Sequence, residues 1–288
     1  MMAALTKRRN NMLDAKIVVD SSANMVVGNP GISSVPLKII TDDKEYVDDA
    51  ILDTEAMVTD LLSYSGRSST ACPSPQDWLD CFADKPYVFC VAITSNLSGS
   101  CNAANIAKAD YEHAFPGRKV CVVDTLSAAG EMQLIAEKLQ DLIAQGLTFE
   151  EVCRKIQAYQ QKTGLIFMLE SLKNLANNGR VSKITAKAAG ILGIRVVGRA
   201  SAVGTLEQLA KCRGEKKAIE ALLNYLKEFG YKGGKVCISH CLNPAAAQTM
   251  KAGILAMYPG ADIDIRSTSG LCSFYAEKGG LLIGFEKV

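Results

Sequence analysis

The chain has 288 residues, enough for one or two α/β lobes and too few for three independent cores. Its 48% hydrophobic and 22% charged residues place it with globular rather than disordered proteins, and 32 basic against 30 acidic residues leave no electrostatic footprint for nucleic acid. No apolar run reaches membrane-spanning length and the start, MMAALTKRRNNMLDAK, lacks a signal-peptide core, so a cytoplasmic protein with a loose leader over 1–14 is expected.

From residue 15 one pattern recurs three times, a short β-branched apolar run that ends in a hydroxyl-rich turn: AKIVVDSSAN (15–24), YVFCVAITSNLSGS (87–100) and KVCVVDTLSAAG (119–130). Helical periodicity follows the last two, which is the grammar of βαβ units and a parallel sheet. Helices are expected over 54–64, 74–82, 98–113, 128–145 and 148–162, the last headed by the capping-box spacing Thr148 to Glu151.

A second lobe begins near 163 with a strand over 163–170, followed by two short helices within 171–193 that break at Asn178-Gly179. A strand-like passage over 194–213 turns about Gly204; a helix (215–229), a strand (236–241), a helix (244–258), a strand (261–270) and a closing strand in LLIGFEKV complete the chain. The predicted fold class is therefore α/β in two lobes. Residues 15–162 carry a mostly parallel sheet with flanking helices and residues 163–288 a mixed or antiparallel sheet.

In open α/β sheets ligands gather at the carboxyl ends of strands, where the three hydroxyl-rich turns fall. Ser98 and Ser127 can equally be helix N-caps, and Asp20 and Asp124 can simply accept turn N–H groups rather than act as a general-base pair. Neither a P-loop nor a G-x-G-x-x-G motif is present, so hydroxyls and amides without a lysine or arginine suit a single carboxylate better than a polyphosphate.

The ten cysteines contain no C-x-x-C, and Cys90, Cys121 and Cys237 lie in strand-like runs, as small buried hydrophobes do. With two histidines, an exposed His113 and a strand-end His240 whose neighbour Cys241 points to the other face, neither a metal site nor a Cys-His couple is expected. G-x-S-x-G is absent, so no catalytic residue is assigned.

The ordered set DSSAN (20–24), VPLKI (35–39), STACPSP (69–75), ITSNLSGS (93–100), VVDTLSAAGE (122–131), LESLKNLANNGRVS (169–182) and CRGEKKA (212–218) resembles the DegV family of bacterial fatty-acid-binding proteins, from about residue 16 to the C-terminus. The resemblance implies a long-chain fatty acid in an apolar tunnel between two lobes, with no other cofactor. Its carboxylate would be held by hydroxyls at Thr70 and Ser95, with Ser98 and Gly99 nearby. It also implies presentation of the acid to a separate fatty acid kinase, with Arg180 and Arg213 on family basic positions that could face that partner.

One departure from the family is SGLCSFYAEKGGLLIGF, where a histidine followed by Gly-Pro-Gly is usual: Tyr275 stands nearest the histidine and can donate one hydrogen bond without carrying charge at neutral pH. Two further departures are ANNGRVS for a Gly-Gly-Arg-Ile pattern and GIRVVGR where a proline usually follows the basic residue. The alternative reading is a phosphotransfer or carbonyl-handling enzyme acting on a small polar substrate, which needs a compact polar cleft where a carrier needs an apolar tube with polar groups at one end. A protein-interaction module, its tunnel filled by bulky side chains, is a third.

Overall fold

The computed structural model describes residues 13–26, 29–182 and 193–287. The expected leader falls outside these except for Leu13 and Asp14, and so does most of the second of the two helices expected within 171–193.

In chain order the first lobe comprises β1 (Ala15–Asp20), a 3-10 turn (Ser21–Ala23), β2 (Ile32–Val35), β3 (Lys38–Thr41), β4 (Glu45–Val47), α1 (Thr54–Ser63), β5 (Ser68–Ala71), α2 (Pro75–Asp80), β6 (Tyr87–Ala92), α3 (Ser100–Ala114), β7 (Lys119–Asp124), α4 (Ala129–Ala144) and α5 (Phe149–Gln160). The second comprises β8 (Thr163–Leu169), α6 (Lys173–Asn177), β9 (Ile194–Ala200), β10 (Leu206–Arg213), α7 (Glu215–Glu228), β11 (Val236–His240), α8 (Pro244–Met257), β12 (Ile263–Ser267), α9 (Gly270–Ala276) and β13 (Leu281–Glu286).

Strands β2-β1-β6-β7 form an all-parallel sheet, as the three sequence repeats predict. Because side chains alternate along a strand, Ile17, Val19, Phe89 and Val91 face α4 and α5, whereas Val18, Val88 and Cys90 face α2 and α3. The second sheet, β10-β9-β8-β13-β11-β12, is mixed, with β11 and β12 parallel and the other pairs antiparallel. The expected turn at Gly204 is the β9–β10 hairpin. On β8, Ile166 and Met168 face the core under α7 and α8, and Leu165, Phe167 and Leu169 face the first lobe.

Local chemistry sets most helix starts. Thr148 and Glu151 form the expected capping box, Ser74 and Asp77 form another with Pro75 in the first turn, and Asp53 accepts the Ala56 N–H at 2.9 Å. Ser98 and Ser127 are not N-caps. The cap positions are Gly99 and Ala128, while Ser98 Oγ accepts the Ser100 N–H at 3.3 Å in a local turn. The sequence reading also missed the small antiparallel sheet β4-β3-β5 and helix α9.

Helix α4 lies between the two large sheets and packs on both. Its first turn crosses β13 backbone to backbone: a Cβ on Gly284 would stand 2.1 Å from the Gly130 carbonyl carbon, and one on Gly130 would stand 2.3 Å from the Cys237 carbonyl oxygen. Polar contacts continue along the same flank, where Gln133 donates to Asp264 at 2.7 Å and Lys235 pairs with Glu137 at 2.7 Å.

Because no flexible side chain can yield at this crossing, Gly284→Ala is expected to cost about 1–3 kcal/mol or more. Gly260→Ala, where a Cβ meets nothing within 4 Å, should stay within about 0.5 kcal/mol. Urea unfolding of the two variants measures the contrast.

Candidate functional site

A cavity of about 330 Å³ lies between the inner face of the mixed sheet and the first lobe. Its floor is Leu165, Phe167 and Leu169 of β8 with Leu282 of β13, paired directly with Phe167, and Leu206 of β10. Leu37 and Ile93 from the first lobe, Leu175 of α6 and Leu271 of α9 add further apolar wall.

The polar groups of the wall gather at one end. Thr70, on β5 of the small sheet, and Tyr275, on α9, join hydroxyls at 2.8 Å. Arg180, half-buried after α6, donates from Nε to the Leu97 carbonyl at 3.1 Å and from Nη1 to the Asn178 carbonyl. Leu97, Ser98 and Gly99 follow in the turn after β6, and the sulfur of Cys72 stands 2.9 Å from where a Gly99 Cβ would be. Burial pushes the Tyr275 phenol up, against the pull of the Thr70 hydrogen bond and the nearby Arg180 charge. The tyrosine is therefore a neutral hydrogen-bonding group and Arg180 the cation among the described lining residues.

Three carboxyls brace this wall from behind, Asp20 and Asp48 buried and Asp124 half-buried. Asp20, at the end of β1, accepts from Ile93 N at 2.9 Å, Ser100 Oγ at 2.7 Å, Ser22 N at 3.2 Å and Ser22 Oγ, tying two of the three hydroxyl-rich turns together. Asp124 joins the third by accepting the Ser95 N–H at 3.2 Å and the Leu126 N–H at 3.1 Å. Both aspartates thus hold turn N–H groups. Asp48, just past β4 and 1% exposed, accepts from the N–H groups of Gly270 and, at 2.9 Å, of Leu271. A Cβ at Gly270 would come 2.8 Å from its carboxylate, so glycine lets the acid reach the start of the helix that carries Tyr275. Burial lifts Asp48 to about 6, above what those donors and Ser21 pull down.

Of the residues singled out from sequence, Thr70, Ser98, Gly99, Tyr275 and Arg180 line this one cavity. Ser95 is exposed and outside the lining, and Arg213 is exposed at the end of β10. His240 is 9% exposed and accepts the Asn243 N–H on Nδ1 at 3.4 Å; burial lowers its pKa. The β8 leucines and Phe167 were legible only as core, because alternation marks a buried face without saying whether protein or ligand covers it. Asp48 had no signal at all, since an acid in KEYVDD reads as a solvated turn.

The chain matches the family model described as uncharacterised proteins of the DegV family over residues 14–287. It is 46% identical to a DegV domain-containing protein of Streptococcus pneumoniae, over 94% of this chain and 98% of that one. Its structure is similar to that of a Eubacterium eligens DegV family protein loaded with heptadecanoic acid (TM-score 0.93, 43% identity, 95% of this chain and 100% of that one). It is likewise similar to the Streptococcus pneumoniae fatty acid kinase B3 protein loaded with linoleic acid (TM-score 0.94, 45% identity, 96% and 100%).

Asp48 carries a pH signature. Between about pH 4, where a free carboxyl titrates, and about pH 6, the native state holds a proton that the unfolded chain has released, so stability falls as pH rises through that window. The contribution is on the order of 3 kcal/mol. Asp48→Asn is expected to flatten that component in unfolding free energies measured from pH 4 to pH 7.

Proposed function

The chain belongs to the DegV family, and from that premise we propose that it binds a long-chain fatty acid in the cavity between its two lobes, residues 15–162 and 163–288. The observation that carries this reading is the segregation of the wall: apolar side chains along the β8 floor and polar groups confined to one end. A compact polar cleft, which the alternative enzyme would need, is not what this cavity offers.

Burial of an acyl chain supplies about 0.8 kcal/mol per methylene, a gross gain on the order of 10 kcal/mol before ordering costs. The carboxylate lies at the polar end. There Thr70 and Tyr275 offer hydroxyls, the turn at Ser98 and Gly99 offers backbone and side-chain donors, and Arg180 offers the countercharge. These contacts fix which way round the ligand sits more than they set its affinity.

The protein acts as a carrier without catalytic groups of its own, handing the exposed carboxylate end to a fatty acid kinase; Arg213 is a surface cation available to such a partner. Ten free cysteines, six of them buried, suit the reducing cytoplasm. Among the described residues no helix is long and apolar enough to cross a membrane.

Native mass spectrometry of the purified protein, with organic extraction, should show one fatty acid per chain; an empty protein that also ignores added palmitate and oleate would return the polar-substrate enzyme to first place. Thr70→Val with Tyr275→Phe should weaken fatty-acid binding by about tenfold or more, since each removes one hydrogen-bonding group at small volume change. Ser95→Ala should change it by less than about twofold, its hydroxyl standing outside the lining.

A further inference from the structure

The tip of the β9–β10 hairpin closes one flank of the cavity. Leu97, in the turn after β6, and Leu206, at the start of β10, line the cavity. Beyond the tip, Leu126, Ser201 and Ala202 line a second, polar cleft of about 320 Å³. The residues between Ala202 and Leu206 stand at the divide.

The tip is well braced within itself. The Ser201 N–H donates to the Thr205 carbonyl at 2.8 Å, the Gly204 N–H to the Ser201 carbonyl at 2.9 Å, and the hydroxyls of Ser201 and Thr205 join at 2.8 Å. Its base is less firmly held. Pairing of β9 with β8 ends at Arg199 and Ile166, so Ala200 to Leu206 project beyond the last β8 pair. Just behind them the β9–β10 register shifts between Gln208 and Ala210, opposite Gly198 and Val197. A bulge beside a glycine is where a strand pair bends.

Hydrogen bonds rather than apolar packing fasten the tip to the first lobe. Among the described residues, Thr94 Oγ1 donates to the Gly204 carbonyl at 2.9 Å and Asn96 Nδ2 to the Val203 carbonyl at 2.6 Å. Val203, the bulkiest apolar side chain of the tip, is 62% exposed and buries little. The tip seats closely because residue 204 is glycine: a Cβ there would stand 2.1 Å from Thr94 Oγ1 and 3.0 Å from the Leu126 Cα. Each such hydrogen bond contributes a factor of about five to ten to the closed state, so the pair keeps the tip down and still lets it rise.

We propose that the hairpin tip is a latch on the flank of the cavity, and that a fatty acid enters and leaves when it lifts. The inference rests on the fatty-acid reading above. Leu206 lies on the tip side of the bend, so lifting the tip carries a wall residue away and opens the cavity toward the cleft. A ligand buried along its length needs such an opening, and its exchange rate is then set by how often the latch is released. With the latch closed the bound acid meets the same walls, so weakening the fastening speeds entry and exit alike and leaves the equilibrium where it was.

The test follows the fluorescence of parinaric acid in stopped flow with the full chain, association by direct mixing and dissociation by displacement with excess oleic acid. Asn96→Ala removes one fastening bond at an exposed position and should raise both rates about fivefold. Gly204→Ala forces the tip off Thr94 and should raise both by about tenfold or more. Dissociation constants should stay within about twofold in each, and Val203→Ser, whose side chain faces solvent, should change neither rate by more than that. Unaltered rates in either Asn96→Ala or Gly204→Ala, or faster dissociation with unchanged association, would overturn the latch. Failure of the unaltered protein to bind parinaric or oleic acid would overturn the fatty-acid reading itself, and the latch with it.

Discussion

The two lobes meet through backbone. At Gly130 and Gly284 the first turn of α4 rests on β13 with no side chain between them, so the helix belongs to two cores at once. Met132, Ile135 and Leu139 pack into the core of the parallel sheet, while Gly130 and Gln133 lie against the mixed one. This crossing fixes the separation of the sheets. A cavity between two lobes persists only if something other than its own walls keeps them apart, because apolar surfaces otherwise close on one another.

Around that spacer, the small sheet and α9 act as one unit. Thr70 reaches Tyr275 from β5, and Asp48 holds the start of α9 from just past β4, so two contacts from a single three-stranded sheet orient the helix that supplies part of the cavity wall. The head end is thereby assembled from segments near residues 70, 98, 180 and 275. Two of these segments depend on buried acceptors, Asp20 for the turn after β6 and Asp48 for α9, whose desolvation is tolerable because each is met by several N–H or O–H donors.

Parts of this arrangement were legible in particular residues. KIVVD, FCVAI and CVVDT announced parallel strands because β-branched runs that end in hydroxyl turns before helices leave few other folds open. Thr148 and Glu151 announced a helix start, and Gly204 a hairpin. The small sheet was illegible because KIIT, EYV and SSTA are three or four residues long and only partly buried, too short for alternation to register. GLCSFYA gave no helix signal either: it begins with glycine, and its N-terminus is held by Asp48, distant in sequence.

The sequence by itself determined the fold class, the order of the longer strands and helices and the hydroxyl-rich turns, since these depend on periodicity and on local capping and turn chemistry. Only the tertiary structure decided which polar residues share one end of a cavity, that Arg180 stands on its wall while Ser95 stands outside it, and that Leu165, Phe167 and Leu169 form a floor rather than filled core. Local interactions act over a few residues and leave their mark in the sequence as spacing. Contacts between Thr70 and Tyr275, or between Gly130 and Gly284, join residues far apart in the chain, and no spacing records them.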